Sequence, residues 1–209
     1  MQLKSFFGIL GLVLLLSSTS CRWETTKTAV KHGDVLKSSI ESFEKNRQKL
    51  SSNVIESLEE AEEALTSESP DLPKVSKDFE KEWTSIQNRY DKLKKDFDKV
   101  GESSAAYFGQ LNELSNNIGN ETLRKEELAK NKSLRQKWDK TYQEAAVNID
   151  KVTTVLEEGN DFHMVLVASS IRQKLEQNVG ELSRIAEQAK ALLSDLEVFT
   201  EEGRKLVEG

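Results

Sequence analysis

The stretch Phe79–Ile118, FEKEWTSIQNRYDKLKKDFDKVGESSAAYFGQLNELSNNI, decides the fold. Phe79, Trp83, Ile86, Tyr90, Leu93, Phe97 and Val100 recur at alternating spacings of four and three, and Tyr107, Leu111, Leu114 and Ile118 extend the series past a single polar member, Ser104. A sustained 3.5-residue period keeps one stripe of an α-helix turned toward a partner helix and favours left-handed supercoiling. At 1.5 Å per residue this helix is about 65 Å long. Gly101-Glu102-Ser103-Ser104-Ala105-Ala106 thins it in the middle, where small residues admit a bulky neighbour or mark a bend. Because the stripe continues on both sides, close packing is the expectation.

Working outward, Ser67–Pro73, SESPDLP, holds both prolines of the chain and breaks the helical pattern upstream. Before it, Leu36, Ile40, Phe43, Leu50, Val54, Leu58, Ala61 and Leu65 predict a first helix opening at Gly33-Asp34. After the quoted stretch, Gly119-Asn120 combines a C-terminal glycine with an N-cap residue and predicts a turn. A third helix is then predicted to about Glu158, with Leu134, Trp138, Tyr142, Ala145, Ile149, Val152 and Leu156 on its seam. Gly159-Asn160-Asp161 repeats the stop-and-cap signal, and a fourth helix follows to the C-terminus. Its inward residues are predicted as Ile171, Leu175, Val179, Leu182, Ile185, Ala189, Leu192, Leu196, Phe199 and Leu206.

Short connections force successive helices to lie antiparallel. The expectation is an all-α protein: an elongated antiparallel four-helix bundle with coiled-coil-like packing over residues 33–209. A parallel intermolecular coiled coil is the rival. Three internal turns favour self-packing, because closing short loops costs little chain entropy.

The N-terminus reads as a targeting segment. Residues 1–20 combine Lys4, the apolar run Phe6–Leu16 (FFGILGLVLLL) and the small residues Ser17-Ser18-Thr19-Ser20, the three parts of a secretory signal peptide. The apolar run is well short of the roughly 20 residues a spanning helix needs. Cys21, the one cysteine of the chain, comes directly after. The arrangement resembles the lipobox of bacterial lipoproteins, with Ser18 where the usual pattern has Leu. That resemblance implies cleavage before Cys21, lipidation of its thiol and anchoring of the chain to a membrane. Ordinary cleavage near Ser20, leaving a free thiol, is the alternative. Residues 21–32 carry no clear period and are expected to be a tether. Arg22 is not the Asp tied to inner-membrane retention in enteric bacteria, which slightly favours the outer membrane for a periplasm-facing protein of the bacterial cell envelope.

Composition excludes several functions. The net charge is −6; with Lys4 removed, 29 basic residues stand against 36 acidic ones, a net of −7. A mildly acidic rod has no broad attraction for nucleic acid. The run Glu59-Glu60-Ala61-Glu62-Glu63 fits a solvated helix face. His32 and His163 are 131 positions apart and belong to no metal-binding motif, so no metal and no cofactor is expected. No glycine-rich phosphate loop and no Gly-x-Ser-x-Gly elbow occurs, and no catalytic residue is nominated. Trp83 and Trp138 read as core residues, and Met164–Val167 as a buried helix start or a partner-binding patch.

Ala106-Tyr107-Phe108, Leu111-Asn112-Glu113-Leu114-Ser115 and Asn120-Glu121-Thr122-Leu123-Arg124, with Val155-Leu156-Glu157, Ile171 and Leu175, resemble the helical bacterial family catalogued as domain of unknown function 2959. The likeness covers roughly the last two thirds of the chain. Where that family has a Lys-His-Asn stretch, this chain reads Phe162-His163-Met164. The resemblance implies a helical envelope protein and no particular chemistry.

The expectation is therefore a non-enzymatic envelope lipoprotein, held by Cys21, whose helical faces serve as a scaffold toward an envelope protein or further copies of itself. The alternative is a lipid- or glycan-binding protein using a groove between helices near Phe162 and His163.

Overall fold

A computed structural model describes residues 20–172, 174 and 179–208, with side chains from Val30 onward. Among the described residues four helices make up the fold: α1 (Ser20–Thr66), α2 (Leu72–Asn116), α3 (Glu121–Arg172) and α4 (Val179–Glu208). At 1.5 Å per residue they run about 70, 68, 78 and 45 Å. No strand occurs among the described residues.

The helices stand in a ring, α1 beside α2, α2 beside α3, α3 beside α4 and α4 beside α1. Each neighbouring pair is antiparallel. Along α1 and α2, Ser39 meets Ser103 while Asn46 meets Asp96. Along α2 and α3, Trp83 meets Leu156 while Tyr90 meets Ile149. Ser183 of α4 bonds Glu62 near one end of α1, and Glu208 pairs with Lys37 near the other. Across the diagonal, α2 and α4 touch through long side chains, with the rings of Phe97 and Phe199 5.4 Å apart. The expected all-α antiparallel bundle is thus the fold.

Local chemistry sets the turns. Asp71 caps α2 by accepting a hydrogen bond from the Lys74 amide at 3.2 Å, and a proline stands in the first turn, where its missing N–H is no loss. Asn120 caps α3 by accepting from the Leu123 amide at 3.1 Å.

Two boundaries differ from those expected. The segment 21–32, expected as a tether ahead of a helix opening at Gly33-Asp34, is helical: α1 begins at Ser20 and passes through Gly33 without interruption. No proline lies between Arg22 and Thr66, and α1 already runs beside α2 at Gly33, where an added Cβ would stand 3.8 Å from the Tyr107 ring. Likewise, Gly159-Asn160-Asp161 does not end a helix. α3 continues to Arg172, and the break falls between it and Val179. Gly159 is buried, and an added Cβ would collide with the Trp83 indole. The glycine is a notch for an aromatic ring rather than a C-cap.

The predicted core of α1 is buried throughout, and so is that of α2 from Phe79 to Ser104. Beyond Ser104 the stripe drifts, because an α-helix has 3.6 residues per turn rather than 3.5. Phe108 and Ser115 are buried there, while Tyr107, Leu111 and Leu114 are only half-buried. On α3, Leu134 is exposed, and Val155, Phe162 and Leu166 join the core. On α4, Leu193 takes the deeper place expected for Leu192. Ile171 is 78% exposed, the reverse of its expected inward position, because it falls in the last turn of α3 rather than within α4. Leu175 and the side chain of Val179 lie outside the described residues.

Candidate functional site

The bundle interior is filled. At mid-height each helix contributes aromatic rings: Phe43 from α1, Phe97 from α2, Trp138 and Tyr142 from α3, Phe199 from α4. Tyr142 stacks on Phe97 at 4.4 Å, Phe43 meets Phe199 edge-on at 5.3 Å, and Trp138 lies 5.2 Å from Phe199. Such tilted and offset pairs suit the ring quadrupoles. The small stretch around Gly101 exists for this layer, since an added Cβ would stand 2.5 Å from the Tyr142 hydroxyl oxygen. A second group of rings, Phe79, Trp83 and Phe162, packs nearer the α1–α2 turn, with Phe79 5.3 Å from Trp83 and 5.6 Å from Phe162. Trp83 also donates to the Leu156 carbonyl at 3.1 Å. Both seam tryptophans are core residues, 2% and 4% exposed.

Charge enters this core at one level. Arg47 occupies the seam position between Phe43 and Leu50 and forks onto Glu44 with two hydrogen bonds of 2.7 Å. Its third arm donates to the Leu193 carbonyl of α4, also at 2.7 Å. Thr200 donates to Glu44 at 3.0 Å, and Gln48 at 2.7 Å. Burial pushes the Glu44 carboxyl up, but Arg47, Thr200 and Gln48 outweigh it and hold the group below the ordinary carboxylate range. For Arg47, burial pulls down and Glu44 and Glu197 pull harder upward, so it stays charged. A second buried carboxylate, Asp96, accepts from Asn46, from Ser42 at 3.3 Å and from Lys99 at 3.2 Å. Glu44 accepts two hydrogen bonds on each oxygen and Asp96 accepts three in all, and these contacts register α1 against α4 and α2.

The sequence missed this pair. Its signal is the gap at position 47 of a seam that otherwise carries an apolar residue every three or four positions.

Of the residues singled out beforehand, Cys21 falls in the first turn of α1, and its side chain lies outside the described residues, as do residues 1–19 of the expected signal peptide. His32 lies toward the N-terminal end of α1 and His163 well along α3; the structure does not bring them together. His163 is half-buried with its ring 6.3 Å from Phe79, and Phe162 is a core side chain. Met164 is 64% exposed while Leu166 is buried, so Met164–Val167 is an ordinary two-faced helical segment. Among the described residues, no cluster of three or more His, Cys, Asp or Glu side chains is arranged to hold a metal ion. No described helix is long and apolar enough to cross a membrane.

One open space lies between α1 and α2 beside Phe79. A groove of about 360 Å³ runs between α1 and α2 next to their connecting turn. Comparison with known protein families, with curated proteins and with solved structures finds no match.

Proposed function

We propose that this chain is a lipid-anchored envelope protein, a non-enzymatic helical scaffold that works through its outer faces. The observation that carries the reading is the conjunction of a lone cysteine, directly behind an apolar run and a small-residue stretch, with the first turn of α1. A lipid there would hold the bundle by one end of its long axis. The closed interior supports the same reading, since its charged groups are spent on one another and the remaining working surface is outside. The partner is an envelope protein or a further copy of the chain. Likeness to the uncharacterised helical family named above accords with this and adds no chemistry.

Acyl chains contribute about 0.8 kcal/mol per buried methylene, so two or three of them hold a protein firmly where one does not. Cys21→Ala is therefore expected to shift the protein from the membrane to the soluble fraction and to abolish incorporation of a fatty-acid probe. A variant that stays membrane-bound, with a wild type that takes up no probe, sinks the proposal.

A second reading, ligand binding between helices, draws on the groove beside the α1–α2 turn.

A further inference from the structure

From Glu121 to Lys137, α3 buries no residue. A helix packed in a bundle ordinarily turns an apolar stripe to its neighbours. Here the neighbours are few. Among the described residues α1 is not in contact with α3, Leu134 and Lys137 lie beside the last turns of α4, and nearer Glu121 the stretch rests on α2. Asn131 makes that join, donating to the Leu111 carbonyl at 3.1 Å and to the Ser115 hydroxyl at 2.8 Å.

Relieved of core packing, the stretch is basic. It holds six basic residues against three acidic ones, in a chain with 30 against 36. Lys125 pairs with Glu121 at 2.7 Å and Lys130 with Glu127 at 2.6 Å, while Lys132 and Lys137 take part in none of the described ion pairs. Pairs this exposed contribute little and are easily exchanged for another anion. Lys125 and Lys132 are seven residues apart, as are Lys130 and Lys137, so they form two rows. At about 100° per residue the rows flank the side of α3 opposite Asn131. All four lysines are exposed, and Glu126 is the acidic residue between the rows. At the far end of α1 the balance is reversed: residues 56–68 hold six acidic residues and no basic one. The rod is therefore polarised, and its basic end is the one where α1 begins. The register that sets Gly33 beside Tyr107 and Ser39 beside Ser103 carries the first turn of α1, with Cys21, to the level of the α2–α3 turn.

We propose that the outer face of α3 over residues 121–137 docks on an anionic lipid surface. Two parallel rows of ammonium groups on a convex helix enclose no pocket for a compact anion; they suit a plane of phosphate charge. Lys125, Lys130, Lys132 and Lys137 face the headgroups, and the acidic far end points away. Because α3 stands diagonally from α1, contact through this face leans the bundle over its N-terminal end instead of standing it upright. The inference rests on the membrane reading for its choice of lipid as the polyanion. It needs no acyl chain on Cys21, so either can fail alone.

The test is lysine footprinting of the full chain with a membrane-impermeant acylating reagent, read residue by residue by mass spectrometry. The chain is mixed with vesicles of phosphatidylcholine, or of phosphatidylcholine with about 30 mol% phosphatidylglycerol, a strongly negative surface. An anchor acts on both vesicles alike and cancels in the comparison. The expected result is slower labelling of Lys125, Lys130, Lys132 and Lys137 on the anionic vesicles alone, with Lys74, Lys77 and Lys81 unchanged. The protection is expected to vanish at about 1 M salt, where the Debye length is about 3 Å. In flotation, changing the four α3 lysines to Gln is expected to lower the preference for anionic over neutral vesicles by about tenfold or more, since each basic residue near such a surface is worth about fivefold. The same number of changes elsewhere, at Lys74, Lys77, Lys81 and Lys92, is expected to leave that preference in place. Helical circular dichroism checks that both variants are folded. Equal labelling on the two vesicles, protection that survives high salt, equal loss in the two variants, or equal protection by soluble polyglutamate overturns the proposal.

Discussion

Arg47 and Glu44 show how a charged pair sits on a hydrophobic seam. Their mutual fork, with the Leu193 carbonyl and Thr200, satisfies the donors and acceptors that burial strips of water. Removing Glu44 leaves the buried guanidinium with only the more exposed Glu197 carboxylate, 3.6 Å away, to balance it. Glu44→Ala is therefore expected to cost about 3–5 kcal/mol in denaturant unfolding. Replacing the pair together, by Glu44→Leu with Arg47→Met, is expected to recover most of that loss, because an apolar pair of similar volume needs no compensation. The pair also carries a pH dependence. The folded state holds Glu44 ionised more strongly than the unfolded chain does. Its contribution is fully present above the ordinary glutamate value of about 4.3 and disappears as pH falls through the lowered folded value. The double variant is expected to show a shallower loss of stability below about pH 4 than the wild type.

Helix α3 is the element whose sequence and structure disagree most usefully. Gly159 sits in its interior, where glycine costs about 1 kcal/mol relative to alanine, so on propensity alone Gly159→Ala stabilises. The Trp83 indole reverses the sign. It occupies the space of the missing Cβ and is tied to the Leu156 carbonyl, so it cannot swing away without giving up that hydrogen bond. Gly159→Ala is expected to destabilise by about 1–3 kcal/mol, the range for overpacking a tight core. Gly109, exposed on α2 with nothing within 4 Å of an added Cβ, is the control. Gly109→Ala is expected to stabilise by roughly 0.5–1 kcal/mol. Equal effects at the two sites would mean that the indole does not depend on the notch.

For the molecule as a whole, the decisive point is that four antiparallel helices of one chain close their own core. Leu36, Ile40, Ile86, Leu93, Leu182 and Ile185 are at most 1% exposed with no second copy present. An obligate oligomer melts at a temperature that rises with protein concentration, because association and folding are linked, whereas a self-contained bundle does not. Thermal melts of the protein over a hundredfold concentration range are expected to superimpose. A clear upward drift would favour an intermolecular coiled coil. The exposed Val30, Leu123, Val147 and Val198 are scattered and require no partner to be tolerated.

By itself the sequence determined the class, the number of helices, the antiparallel arrangement and two of the three turns. Those follow from local periodicity and from Pro70, Pro73, Gly119 and Asn120, whose effects act within a few residues of each site. It also nominated Cys21, on position alone. What the tertiary structure decided depends on what lies opposite a residue. The same Gly-Asn-Asp run that reads as a helix stop becomes a notch once Trp83 faces it, and α3 runs on to Arg172, with α4 starting at Val179. Arg47 becomes a core residue only because Glu44, itself held by Thr200, and the Leu193 carbonyl meet it from two helices. The groove, likewise, needs α1 and α2 in register before Ser57 and Glu82 can share a wall. A 3.5-residue period states which face is buried, and only the packed neighbours state what that face must accommodate.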